Sequence, residues 1–158
     1  MERKIELKEQ PPQMVLGKRF RSSMAKVAED VGAGYGALFA YLGELGEFPS
    51  GAPFALFYGD PEGFDPEDFE MELCVPVSRA LQGRGEIVAR EIPGGLAAVT
   101  IHKGPYSAME PAYGDLKAWM AENGFRHAGP AREVYLNDPG QVTEDELLTE
   151  VSIPVVKT

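Results

Sequence analysis

The 158 residues include one cysteine, Cys74, two histidines, His102 and His127, and one tryptophan, Trp119. A lone cysteine excludes an intramolecular disulfide and a cysteine-built zinc site. The histidines lie far apart in sequence with no carboxylate at metal-ligand spacing, so neither a metal nor a cofactor is expected. Basic residues are scarce, 15 against 25 acidic, giving a formal charge of −10 and a pI near 4.7. Such a chain repels a phosphate backbone, so direct nucleic-acid binding is not expected, whereas cationic ligands gain from its field. No window approaches the ~18 uninterrupted apolar residues of a spanning helix. The opening Met1-Glu-Arg-Lys-Ile-Glu-Leu-Lys8 is charged where a signal peptide needs an apolar run. These absences lead to the expectation of a soluble, cytoplasmic protein with no membrane contact.

What is present is ordinary for a globular domain: 44% hydrophobic and 25% charged residues over a length that suits one domain. The chain also repeats itself. Shifted by 78 positions, residues 35–77 align with 113–155 without a gap. Twelve of 43 pairs are identical, where chance gives roughly three. They are Tyr35/Tyr113, Gly36/Gly114, Leu38/Leu116, Ala40/Ala118, Glu44/Glu122, Gly46/Gly124, Gly51/Gly129, Asp60/Asp138, Pro61/Pro139, Glu72/Glu150, Pro76/Pro154 and Val77/Val155.

Each copy reads as β–β–α–β–β. A strand pair (4–9 with 14–20, and 86–92 with 96–102) turns at Pro11-Pro12 and at Pro93-Gly94-Gly95. An amphipathic helix follows. In the second copy Ser107-Ala-Met-Glu110 fits a capping box, and the helix ends at Asn123-Gly124 as Gly46 ends its counterpart. A hairpin closes each copy, 55–58 with 71–77 and 132–136 with 148–155, around Asp60-Pro61 and Asp138-Pro139. The expectation is a single α+β domain over 1–158, built from two modules with pseudo-twofold symmetry. Its sheet is mostly antiparallel, with two main helices and a central cleft. Repeat one covers about 1–77, the linker 78–85 and repeat two 86–158.

Strand alternation sorts the residues by face. With Val134 and Leu136 placed under the helix beside Val151, Ile153 and Val155, the other face holds Glu133, Tyr135, Glu150 and Ser152. In the first copy that face receives Phe57 opposite Glu72 and Cys74. Aromatic walls with a few carboxylates suit a flat, lipophilic and cationic molecule, through stacking and cation–π energy with a counter-charge. Glu133 is one candidate there, able to meet a ligand's charge or to act on water as general acid/base. Glu150 sits on the strand beside it, but its counterpart Glu72 recurs where Ala55 replaces Glu133, which favours a structural role. Tyr106, Tyr113, Trp119, Tyr135, Tyr35, Tyr41 and Phe57 are candidate walls, although aromatics at helical spacing usually belong to a core.

Other motifs read as structural. Lys18-Arg19-Phe20-Arg21 reads as a solvated loop. The acidic stretch 60–68 lacks an EF-hand's alternating ligands. The glycines of Val31-Gly-Ala-Gly-Tyr-Gly36 do not follow a strand in a βαβ unit. Cys74 has no evident base to make it a nucleophile.

His102-Lys-Gly-Pro-Tyr106, Ala112-Tyr113, Leu116, Trp119, Arg132-Glu-Val-Tyr-Leu-Asn-Asp-Pro139 and Thr149-Glu-Val-Ser-Ile-Pro-Val155 resemble the GyrI-like small-molecule-binding domain. The same domain is the effector-binding half of multidrug-responsive regulators of the MerR and AraC types. The resemblance spans nearly the whole chain and implies a duplicated module with a ligand cleft between its halves. It places the family's ligand-contacting glutamate at Glu133, with Tyr135 in the same Glu-x-Tyr strand. It also implies three uses for such a domain. One is a stand-alone binder that senses or sequesters a hydrophobic, aromatic or cationic small molecule. Another is a hydrolase that opens cyclopropane-bearing genotoxic natural products, with Glu133 as acid/base. The last is a protein-interaction module such as a gyrase inhibitor. Taken with the candidate walls above, the expected ligand-contact set is Glu133, Tyr135, Tyr106, Tyr113, Trp119, Phe57 and Glu150. The sequence carries no helix–turn–helix domain, so regulation would need a partner protein; a homodimer is the other partner considered.

Overall fold

The computed structural model describes residues 4–59 and 65–158, so the Asp60-Pro61 turn and part of the acidic stretch lie outside the described residues. The described elements are β1 (Ile5–Gln10), β2 (Gln13–Ser22), α1 (Val27–Glu44), β3 (Phe54–Tyr58), β4 (Phe69–Pro76), β5 (Ile87–Ile92) and β6 (Gly95–Lys103). They continue with α2 (Glu110–Asn123), β7 (Phe125–His127), β8 (Ala131–Tyr135) and β9 (Leu148–Lys157). Short 3-10 turns lie at Tyr106–Ala108 and Glu144–Glu146. The result is α+β: two helices over antiparallel strands. Among the described residues no helix is long and apolar enough to cross a membrane.

The chain separates into two compact units. One is Pro12–Pro93; the other joins the segment ending at Pro11 to Gly94–Thr158. In the 12–93 unit the strand order is β3-β4-β2-β5, and in the terminal unit it is β1-β6-β9-β8, with β7 on the far end of β9. This differs from the adjacent strand pairs expected from the sequence. β1 pairs with β6, and β2 pairs with β5. The physical reason lies in the joints. A tight two-residue hairpin needs positive φ at its centre, and proline fixes φ near −65°. Pro11-Pro12 and Pro93 therefore carry the chain onward from one unit to the other instead of folding it back.

Each unit packs one helix on its strands. In α1 the buried residues Gly34, Leu38, Tyr41 and Leu42 fall at helical spacing, and α1 packs on β2 and β4. Gly34 is required by closeness, because a Cβ there would collide with the Leu73 side chain of β4. In α2 the buried residues are Ala112, Leu116 and Met120. They join Ala98, Met109, Phe125, Val151, Ile153 and Val155 in the core of the terminal unit. Each fully buried Leu, Ile, Val or Phe side chain contributes about 1.5–3 kcal/mol.

The helix C-termini follow the glycines. Gly46 adopts φ 69°, and its N–H donates to the Gly43 carbonyl while the Glu47 N–H reaches Leu42, which is a Schellman closure. Gly124, at φ 76°, closes α2 through its N–H to the Met120 carbonyl. The expected Ser107 capping box is absent. Ser107 lies inside the 3-10 turn, Met109 occupies the cap without a side-chain bond, and Pro111 fills the first turn. A capping box does form at Thr143 and Glu146, ahead of β9. The basic cluster is likewise no loop. Lys18, Arg19 and Arg21 lie in β2, each facing a carboxylate, of Glu86, Glu70 and Asp68 respectively.

Candidate functional site

Cross-strand register fixes which side chains meet. In the terminal unit Glu133 lies opposite Val151 and Tyr135 opposite Thr149, while Val134 lies opposite Glu150 and Arg132 opposite Ser152. Val151 and Ile153 belong to the core under α2. Glu133 and Tyr135 therefore face the helix, and Glu150, Ser152 and Arg132 face away from it. This reverses the expected phase, which had set Glu133 beside Glu150 on the face opposite the helix. Both β8 and β9 carry apolar residues on both faces, so alternation alone could not choose between the two phases.

Facing the helix brings Glu133 to Tyr113. The Tyr113 hydroxyl donates to Glu133 Oε2 at 2.5 Å, and the Tyr135 hydroxyl reaches Oε1 at 3.4 Å. The Tyr106 ring stands edge-on to Tyr135, with centroids 5.5 Å apart at 69°. Tyr106 is 39% exposed and forms the outer wall. The turn that carries it is held from two sides. Gly104, at φ 127°, donates its N–H to the Leu147 carbonyl, and buried His102 donates from Nε2 to the Pro105 carbonyl at 2.9 Å.

The electrostatics follow from burial. Loss of water pushes the Glu133 carboxyl above its ordinary pKa, and the two phenol hydrogen bonds only partly oppose this. Tyr113 is pushed well above the usual phenol range, first by burial and then by the adjacent carboxyl. Tyr106 is raised by burial and by the charges of Asp138 and Glu133. Tyr113 and Tyr106 thus keep their hydroxyl protons across the neutral range. Among the described residues no Lys, Arg or His pairs with Glu133.

The other candidates lie elsewhere. Trp119 stacks on Phe125 at 5.6 Å and 7°, against the core of the terminal unit. Glu150 is partly buried between Ile101 and Val134. Phe57 lies opposite Met71, not Glu72, with its ring 6.3 Å from Phe69. Tyr35 donates to the Phe54 carbonyl and Tyr41 to the Gln82 carbonyl, both within the 12–93 unit. Among the described residues no three His, Cys, Asp or Glu side chains converge as a metal site would require.

The 12–93 unit holds a second buried carboxylate. Glu72, 3% exposed, accepts from Tyr58 at 2.5 Å and from Arg90 through both Nε and Nη2. Arg19 lies over the Tyr58 ring at 3.8 Å. Gly17 makes the space, since a Cβ there would lie 2.5 Å from Glu72 Oε2. Burial raises the Glu72 pKa, but the bonds and charges of Arg90, Tyr58 and Arg19 win, so the net shift is downward. Glu72 is a structural group whose partners favour its ionised form, whereas burial shifts the Glu133 carboxyl in the opposite direction. Nothing in the sequence ties Tyr58 and Arg90 to Glu72, because the three sit on separate strands.

Residues 3–156 match the family described as the GyrI-like small molecule binding domain. The chain belongs to this family. The C-terminal domain of EcmrR superposes with a TM-score of 0.81 at 26% identity, covering 100% of both chains. Against EcmrR in its DNA complex the TM-score is 0.82 at 26% identity; this chain is covered over 99% and spans 58% of that regulator's length. A hydrolase from Listeria innocua shares the fold at TM-score 0.72 and 15% identity, covering 98% of this chain and 93% of that one. SAV2435, solved bound to tetraphenylphosphonium, shares it at TM-score 0.64 and 11% identity, covering 99% and 94%. On this GyrI-like fold the terminal unit presents a desolvated carboxyl bonded by two phenols, with the ring of a third, Tyr106, beyond them. Such a group can offer charge to a cation, accept a hydrogen bond, or pass a proton.

Proposed function

We propose that this GyrI-like domain binds a lipophilic, aromatic cation, as a module that senses or sequesters such compounds. The ligand's charge lies against Glu133, and the rings of Tyr113, Tyr135 and Tyr106 supply stacking and cation–π energy. One observation carries the reading. A buried carboxyl normally has a cation or a full set of donors, and Glu133 has two phenols and no cation among the described residues. The tetraphenylphosphonium complex of a protein with this fold is in keeping with it. The test is calorimetry with tetraphenylphosphonium and with neutral triphenylphosphine oxide. Saturable cation binding, weakened about tenfold or more in Glu133→Gln, supports the reading. Equal affinity for the two compounds, unchanged by the substitution, overturns it.

A second reading is favoured by the close contact of Tyr113 with Glu133. A raised carboxyl beside a phenol is a proton donor suited to opening a strained ring while water attacks. Incubation with a cyclopropane-bearing alkylating agent, followed by mass spectrometry, decides it. Multiple turnovers lost in Glu133→Gln establish hydrolysis, and an unchanged agent rejects it.

A further inference from the structure

We infer that the cation enters this site in exchange for a proton, so that uptake of each ligand releases one proton from Glu133 to solvent. The inference deepens the proposed function and rests on its premise that the site takes cations.

The geometry carries the argument. The groups facing the carboxyl can be named element by element within the terminal unit. From α2 comes Tyr113, while Glu110 and Lys117, a turn to either side, do not reach it. From β8 comes Tyr135, and beyond it Tyr106, with Asp138 acting on that ring. From β9 come Val151, directly opposite, and Thr149. From β6 come Thr100, which donates to the Lys4 carbonyl, and His102, which is engaged by Pro105. Among the described residues two phenol hydroxyls donate to it, one of them at 3.4 Å, and the fully buried Val151 lies directly opposite on β9.

A carboxylate in such surroundings is costly to ionise, and a bound proton relieves that cost. A lipophilic cation at the same place relieves it differently, by supplying the missing counter-charge. The two occupants therefore compete. The balance is Glu133–COOH plus cation giving Glu133–COO⁻ paired with the cation, plus one proton taken up by buffer. No other bond changes, and Tyr113 keeps its hydroxyl proton throughout. Where Glu133 starts protonated, affinity falls about tenfold for each pH unit lost; where it starts ionised, affinity is flat.

Tetraphenylphosphonium is the suitable probe, because it has no ionisable group and every proton released must come from the protein. Calorimetry at one pH in two buffers of different ionisation enthalpy counts the protons, and repetition from about pH 5 to 8 gives the affinity profile. The expected result is net release approaching one proton at the acid end, with the dissociation constant rising as pH falls. In Glu133→Gln, weaker binding with no proton release and a flat profile is expected. Saturable binding to the wild-type protein with no proton release at any pH overturns the exchange while leaving the cation site standing. No binding at all overturns both. The wild-type measurement stands alone should the variant fail to fold.

Discussion

The Tyr113 hydroxyl, carried by α2, and the Glu133 carboxyl, carried by β8, meet at 2.5 Å. The contact joins the helix to the strand at the rim of the core, since Tyr113 also packs on the cluster that includes Val151. It is part of the fold and, on the proposed reading, part of the ligand site as well.

Tyr113→Phe removes the nearer donor while keeping the ring. The hydrogen bond lowers the Glu133 pKa, so its loss moves the carboxyl's titration midpoint upward. A hydrogen bond lost at a buried acceptor costs about 1–3 kcal/mol. Urea unfolding gives the second number and ¹³C NMR of labelled glutamate the first. A midpoint that stays put or falls contradicts the geometry.

Glu133 and Glu72 act oppositely on the pH dependence of stability. The folded pKa of Glu133 is raised, so the native state binds more protons than the unfolded one between the two pKa values. Its contribution is most favourable at acid pH and declines as pH rises to the folded value. Glu133→Gln is therefore expected to raise the melting temperature at pH 7 and to change little near pH 4. The folded pKa of Glu72 is lowered, so its contribution is present above the unfolded value and disappears as pH falls through the folded one. A Glu133→Gln protein that melts lower at pH 7 than at pH 4, relative to wild type, contradicts this assignment.

Arg90→Met leaves Glu72 buried with the Tyr58 hydrogen bond and only the more distant charge of Arg19. Removing one partner of a buried pair costs about 3–5 kcal/mol. Because the Arg90 side chain keeps 35% exposure, about 2–3 kcal/mol is expected here. Gly17→Ala attacks the same group from β2, where the added methyl would displace the carboxylate, at about 1–3 kcal/mol. Chemical denaturation of the two variants and of the double variant tests the link. Strict additivity would show that Gly17 and Arg90 do not act on the same carboxylate.

Trp119 lies six residues beyond Tyr113 on α2, about 120° away around the helix axis. Its stacking on Phe125 places it in the fold rather than beside Glu133. Trp119→Ala is expected to cost about 2–4 kcal/mol while tetraphenylphosphonium affinity stays within about threefold, roughly 0.7 kcal/mol. A larger loss of affinity, measured on protein confirmed folded by circular dichroism, places Trp119 in the ligand site.

Much of this was readable before any coordinates. Gly46 and Gly124 stop their helices because an αL residue after a helical run is a local demand of the backbone. The strands fall within two or three residues of their expected places, because short apolar runs bounded by Pro and Gly mark them. The family resemblance pointed to Glu133 and Tyr135 through a short local motif. The rest was hidden for physical reasons. Facing depends on register, and register is a relation between strands: Val134 and Val151 look equally apolar until Val151 is set opposite Glu133. Strand partners were hidden likewise, for nothing in 5–10 specifies 95–100. β7, only three residues long, leaves no periodic signal.

The crossing of the chain at Pro11-Pro12 and Pro93 has a consequence for synthesis. Thr100 bonds to the carbonyl of Lys4, 96 residues earlier. At about 5–20 residues per second, β1 leaves the ribosome roughly 5–20 seconds before its partner β6 exists. The strands of the 12–93 unit meet their partners as each is made, whereas β1 waits as an unsatisfied ribbon edge until β6 follows β5. The charges of Lys4, Glu6, Lys8 and Glu9 along it give the nascent segment a guard against premature pairing with other chains.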